Sequence, residues 1–90
     1  MLNVHRHTQF KRDAELARRR GKDMGKLRAL MALLIHEMPL PANCRDHALR
    51  GPWQGFREAH IESDWLLIYR VTDGAIIFAR TGTHADLFGE

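Results

Sequence analysis

Ninety residues make one domain, a chain that buries about 60–65% of its unfolded surface on folding. Its composition, 44% hydrophobic and 28% charged with three Pro and seven Gly, excludes disorder, collagen-like repeats and coiled-coil arrays. The charge is +3 overall but lopsided: residues 1–30 hold nine Lys/Arg against three Asp/Glu, whereas residues 31–90 hold five against eight. With a pI near 9.6, such a basic third points to an anionic partner, nucleic acid first, or to a solvated helix face. The longest apolar run, Ala29 to Ile35, is far short of the roughly 18 residues of a membrane span, and no secretion signal opens the chain. A lone Cys44 forms no internal disulfide, so a cytosolic protein without a membrane partner is expected.

In chain order, Leu2 to His7 reads as a short strand. Thr8 is an N-cap candidate for a helix to about Arg20, with Phe10, Ala14 and Ala17 as its inner stripe. Gly21 ends that helix, and Arg18, Arg19 and Arg20 sit in its last turn, where the helix dipole favours cations. Asp23 caps a second helix to about Met38, whose apolar set is Met24, Leu27, Leu30, Met31, Leu34, Ile35 and Met38. Pro39 and Pro41 stop it, and the chain reads as loop to Gly51. Three strands follow, Trp53–Ile61, Trp65–Val71 and Ala75–Arg80, joined by turns at Glu62–Asp64 and Thr72–Gly74. Gly55 is expected to mark a bulge or close approach within the first of them. The fold class is α+β: a short N-terminal strand and a two-helix hairpin packed on a C-terminal antiparallel β-meander, in a single domain over residues 1–90.

Six histidines are present, and His5, His7 and His36 read as incidental. The other three flank the meander: His47 before it, His60 with Asp64 around its first turn, and His84 after its last strand. Imidazole titrates near neutrality, so one His can take a proton while another gives one. RNA cleavage needs that pair, one group to deprotonate the 2′-hydroxyl and one to protonate the leaving 5′-oxygen. It also needs a cation for the charge on phosphorus, for which Arg80 and then Arg57 are candidates. Three His and one Asp are equally a legitimate zinc set, although spacings of 13, 4 and 20 match no compact metal motif, and scattered surface histidines remain a third reading. Phe88 near the C-terminus serves either as a core plug or as a platform on which a base stacks. Cys44 reads as a spare thiol.

Four stretches carry a more specific signal. They are Asp46-His47-Ala48-Leu49-Arg50-Gly51, Trp53-Gln54-Gly55-Phe56-Arg57-Glu58-Ala59-His60, Asp64-Trp65-Leu66-Leu67-Ile68-Tyr69, and Arg80-Thr81-Gly82-Thr83-His84-Ala85-Asp86-Leu87-Phe88. In that order they resemble the YafQ-type toxins of the RelE/ParE superfamily of bacterial type II toxin–antitoxin systems, over nearly the whole chain. The resemblance implies a RelE-like fold and a metal-independent, ribosome-dependent endoribonuclease. Such an enzyme cuts mRNA codons in the ribosomal A site, needs no cofactor, and is held inactive by a cognate antitoxin. Carried over residue by residue, the family's functional positions fall on His47, His60, Asp64, His84 and Phe88. Glu58 stands where the family more usually has aspartate, and is grouped with Phe88 and Arg57 as a substrate contact. On this set Asp64, with His60, is the general base or orients it; His84 is the general acid; His47 and Arg80 stabilise the phosphate charge; and Phe88 positions a base. The acid and base labels are interchangeable on sequence alone. Arg18, Arg19, Arg20, Lys22 and Lys26 are the expected surface for ribosomal RNA. Two rivals share these residues: a ParE-branch gyrase poison, which needs no imidazoles, and a plain RNA-binding module, which binds with steep salt dependence and never cleaves.

Overall fold

Continuous burial from Trp65 to Tyr69, with both sides of the strand covered, decides the architecture. Trp65, Leu67 and Tyr69 enter one buried cluster with residues of both long helices, while Leu66 and Ile68 enter a second cluster on the opposite side. The sheet is therefore covered on one face by the two long helices, while the opposite, more open face is closed only by a smaller cluster with Leu49, Trp53, Phe56, Leu87 and Phe88 and is exposed beside it. The computed structural model describes residues 1–89. In chain order its elements are β1 (Asn3–Arg6), α1 (Thr8–Arg19), α2 (Met24–Ile35), β2 (His47–Ala48), β3 (Arg57–Glu62), β4 (Trp65–Thr72), β5 (Ala75–Gly82) and α3 (His84–Phe88). The five strands lie in the order β1-β5-β4-β3-β2, with β1 parallel to β5 and every other pair antiparallel. The expected meander is β3-β4-β5; β1 and the two-residue β2 extend it at its two edges. Among the described residues no helix is long and apolar enough to cross a membrane.

Several boundaries differ from the sequence reading. Thr8 is not the N-cap of α1: His7 takes that position without a side-chain cap, because its N–H still belongs to the β1–β5 ladder and donates to the Phe78 carbonyl at 3.0 Å. The stripe of α1 is as expected, with Phe10 and Ala17 buried, Ala14 half-buried, and the Phe10 ring 5.7 Å from that of Phe78. Gly21 ends α1 at φ +81, where a glycine has no Cβ to strain. Asp23 caps α2 by accepting from the Gly25 N–H at 3.0 Å.

That second helix stops at Ile35 rather than Met38. Glu37 turns left-handed at φ +55, the Met38 N–H reaches back to the Leu33 carbonyl, and the Glu37 N–H reaches that of Leu34. This is a Schellman closure made without glycine, and it leaves Met38 exposed instead of in the apolar stripe. The strand expected from Trp53 begins at Arg57. Gly51–Trp53 is a single 3-10 turn around Pro52, and Gly55, at φ +93, belongs to the turn that follows it rather than to a strand. The bulges of the sheet lie instead at His60/Glu62 and Ile68/Tyr69.

Candidate active site

Strand register brings the first part of the cluster together. His47 on β2 pairs directly with Glu58 on β3, and His60 lies two residues further along β3 on the same face. Glu58 is buried, with its side chain 7% exposed, and one of its oxygens, Oε2, lies 3.3 Å from His47 Nε2 and 3.4 Å from His60 Nε2. The second ring nitrogen of His47, Nδ1, is 2.6 Å from the Arg45 carbonyl. Arg45 itself sits left-handed at φ +48 after the single turn Ala42–Cys44, which aims that carbonyl at the ring.

The rest comes from α3, a helix absent from the sequence reading. Thr83 is its N-cap, accepting from the Asp86 N–H at 3.0 Å while Asp86 accepts from the Thr83 N–H at 3.0 Å. Gly82 makes this possible, since a Cβ there would stand 3.0 Å from the Asp86 side chain. His84 is then the first helical residue, whose N–H has no partner within the helix. It donates to Asp64 Oδ1 at 2.8 Å, and the His84 ring Nδ1 lies 2.6 Å from the same oxygen. These two contacts, the backbone N–H foremost, hold the Asp64 carboxyl below the usual carboxylate range. The rings of His60 and His84 are 5.9 Å apart, and Phe88, one turn on, is 6.5 Å from His84. The four residues His47, His60, Asp64 and His84 therefore converge on one edge of the open face, with Glu58 beneath them and Phe88 beside them.

Two expected members are elsewhere. The Arg80 guanidinium is not free for a phosphate: it donates to Asp13 of α1 at 2.7 and 3.3 Å, on the helix-covered side. Arg57 alternates with Glu58 and pairs with Tyr69, so it faces the helices, where Asp46 accepts from it at 3.2 and 3.3 Å. Asp46 also accepts from the Tyr69 hydroxyl at 2.6 Å, and burial pushes that phenol well above its ordinary range. Glu58, expected to touch substrate, is buried beneath two imidazoles instead. Among the described residues, no group of three or more His, Cys, Asp or Glu side chains is arranged to hold a metal ion. Burial pushes the Cys44 thiol up, away from nucleophilic character.

Residues 2–89 match the family described as the bacterial toxin of the type II toxin–antitoxin system, YafQ. The chain belongs to the YafQ toxins. It is 56% identical over 82 residues to the mRNA interferase toxin YafQ of Escherichia coli K12, covering 90% of this chain and 89% of that protein. Its fold superposes on the crystal structure of YafQ from E. coli BL21(DE3) with a TM-score of 0.94, at 50% identity, covering 99% of this chain and all of that one. YafQ in the E. coli DinJ–YafQ toxin–antitoxin complex matches with a TM-score of 0.91 at 52% identity, with 98% of each chain covered.

In this YafQ chain most of the basic candidates hold elements together. Arg20 donates to Asp86 at 2.7 and 3.3 Å and so ties α3 to the end of α1. Lys22 and Lys26 reach Glu62 at 3.2 and 3.1 Å, bracing the turn that carries Asp64. Arg18 pairs with Glu15 along α1, an exposed pair of little energetic weight. Arg19 has no ion-pair partner among the described residues. Two functional features escaped the sequence reading although signals for both existed. Thr83-His84-Ala85-Asp86 is a capping-box pattern that announces α3, and the alternation Glu58, His60 on one strand puts the carboxylate on the histidine face.

Proposed function

We propose that this chain is a ribosome-dependent endoribonuclease toxin of a type II toxin–antitoxin system, acting in the cytoplasm as a single domain on mRNA codons in the ribosomal A site. The observation that carries the reading is the pair of imidazoles, His60 and His84, 5.9 Å apart on the open face, each with a carboxylate on one ring nitrogen. A base and an acid on either side of a scissile phosphate are what in-line attack by a 2′-hydroxyl requires. Asp64 orients His84 rather than acting as the base, since the Nδ1 edge is already closed against it. Phe88 offers a stacking surface beside the pair. The E. coli relatives support the same reading, one named an mRNA interferase toxin and another solved in a toxin–antitoxin complex with DinJ. A cognate antitoxin is accordingly the protein partner, and Arg19, without an ion-pair partner among the described residues, is the freest of the five basic candidates for ribosomal RNA.

The test is cleavage of a translated mRNA with and without ribosomes, in buffer with and without a zinc-selective chelator that leaves Mg2+ in place, with cuts mapped by primer extension. In-frame cuts seen only with ribosomes and indifferent to the chelator are expected. His84→Gln should reduce the cleavage rate by about 10²–10⁴-fold with an unchanged unfolding midpoint. A folded parent chain that leaves translated mRNA intact overturns the reading, and a His84→Gln variant with the parental rate overturns the role of His84.

A further inference from the structure

With Arg80 bound to Asp13 and Arg57 bound to Asp46, the two guanidiniums expected to meet the charge that develops on phosphorus are each engaged by a carboxylate. A further cation lies within the cluster itself, and the contacts of the three imidazoles single it out. A backbone carbonyl only accepts, so His47 Nδ1, 2.6 Å from the Arg45 oxygen, carries a proton. Across the ring, His47 Nε2 lies at ion-pair distance from Glu58 Oε2, 3.3 Å, where a second proton would meet a carboxylate oxygen. Both nitrogens of His47 face acceptors, and the ring is half exposed on the open face. His60 has one nitrogen, Nε2, toward Glu58, and His84 has one, Nδ1, toward Asp64. Each of these two rings keeps its other nitrogen free of protein partners among the described residues.

We infer that Glu58 is a positioning residue that holds His47 as a doubly protonated imidazolium, the cation for the scissile phosphate, and leaves proton transfer to His60 and His84. The inference rests on the ribonuclease reading above and deepens it. In the step it describes, the 2′-oxygen–phosphorus bond forms as the phosphorus–5′-oxygen bond breaks. One of His60 and His84 takes the 2′-hydroxyl proton, the other gives a proton to the 5′-oxygen, and His47 neither gains nor loses one. The buried position of Glu58 suits this role, because a carboxylate removed from water requires cationic or hydrogen-bonding partners of its own. Glutamate also matters here: its single Oε2 reaches rings on two strands, β2 and β3, a span for which the shorter aspartate lacks one methylene.

The experiment records long-range 1H–15N correlations of the histidine rings in the uniformly labelled chain, with His47 assigned through His47→Gln. At one common pH, His47 should show both nitrogens nearest the imidazolium position and keep them through the pH range of cleavage, while the proton-accepting member of the His60/His84 pair shows one protonated and one unprotonated nitrogen. Glu58→Gln should move the His47 nitrogens toward the neutral pattern and reduce kcat about a hundredfold with KM held within about twofold, and Glu58→Asp should recover part of both. A neutral His47 in the parent spectrum overturns the inference, as does a Glu58→Gln chain whose His47 signals and cleavage match the parent. If Glu58→Gln fails to fold, the parent spectrum and Glu58→Asp decide the question alone. Because the spectra need no ribosome, a chain that shows the imidazolium but cuts no mRNA breaks the ribonuclease reading and not the assignment of Glu58.

Discussion

On the helix-covered face of the sheet, Asp13 accepts from Gln9, from two nitrogens of Arg80 and from the Thr81 N–H, while Asp46 accepts from Arg57 and Tyr69. On the open face, Asp64 is 61% exposed and accepts only from the backbone and ring of His84, and the imidazoles of His60 and His84 each keep one nitrogen without a protein partner among the described residues. The covered face thus uses charge to fasten elements together, and its donors are consumed within the fold. The open face holds each proton-transferring ring by one edge and leaves the other for a ligand. The same residue types serve both ends, and what separates them is how many of their hydrogen-bonding positions the fold fills.

Breaking the open-face arrangement should cost activity and little stability. Asp64→Asn keeps an oxygen for the His84 N–H but removes the charge that orients the ring. The expected loss is about a hundredfold in cleavage of ribosome-bound mRNA. Because Asp64 is largely exposed, its urea unfolding free energy should move by less than about 1 kcal/mol. A loss of stability matching the loss of activity would place Asp64 with the covered-face charges instead. Asp13→Ala is the mirror experiment. It strands the Arg80 guanidinium and the buried Thr81 N–H, and should lower the unfolding free energy by about 3 kcal/mol. The folded fraction should still cut mRNA within about threefold of the parental rate. A hundredfold loss at full stability would mean that Arg80 serves the phosphate after all.

How far the amino-acid sequence could be read follows the same division. The apolar periodicities of α1 and α2 and the Asp73-Gly74 turn are local signals, and they placed the helices and the three central strands. His47, His60, Asp64 and His84 were identified as a group, but only strand register and the cap of α3 bring them within reach. Arg80 shows what local reading cannot decide. Its type and position late in β5 suit a phosphate, yet a carboxylate 67 residues away on α1 takes two of its three nitrogens. Glu58 is the converse: a conservative-looking departure whose importance comes from a cross-strand neighbour, His47, on a strand too short to announce itself.

Phe88 sharpens the comparison because it stands on both sides of it. It packs against the open-face cluster of Leu66, Ile68, Ala79 and Leu87, and its ring lies 6.5 Å from His84. Phe88→Ala should weaken substrate binding by the value of one stacked base, about 1–3 kcal/mol, read as a rise in KM at nearly constant kcat. Phe88→Leu keeps most of the apolar contact without the flat ring. It should restore stability but not KM, and recovery of both would make Phe88 a plug and nothing more.

The smallest expected effect concerns the exposed link between the two regions, Arg20 with Asp86. The guanidinium first, and then the Thr83 N–H, hold the Asp86 carboxyl down to about 2, from an ordinary value of 3.8. A depressed carboxylate contributes stability that is fully present above its unfolded value and is lost as the pH falls through the folded one. The contribution of Asp86 should therefore persist at pH 5 and above and fade between about pH 4 and pH 2. Glu62 and Asp64 are lowered too, so the parent's acid unfolding curve alone does not isolate Asp86. The difference between the parent and Arg20→Gln does. Their unfolding free energies should differ modestly at pH 6 and converge toward pH 2, with the amide signals of His84 and Ala85 the first to move. A gap that stays constant down to pH 2 would show that Arg20 acts through packing on α1 and not through the charge that anchors α3 to it.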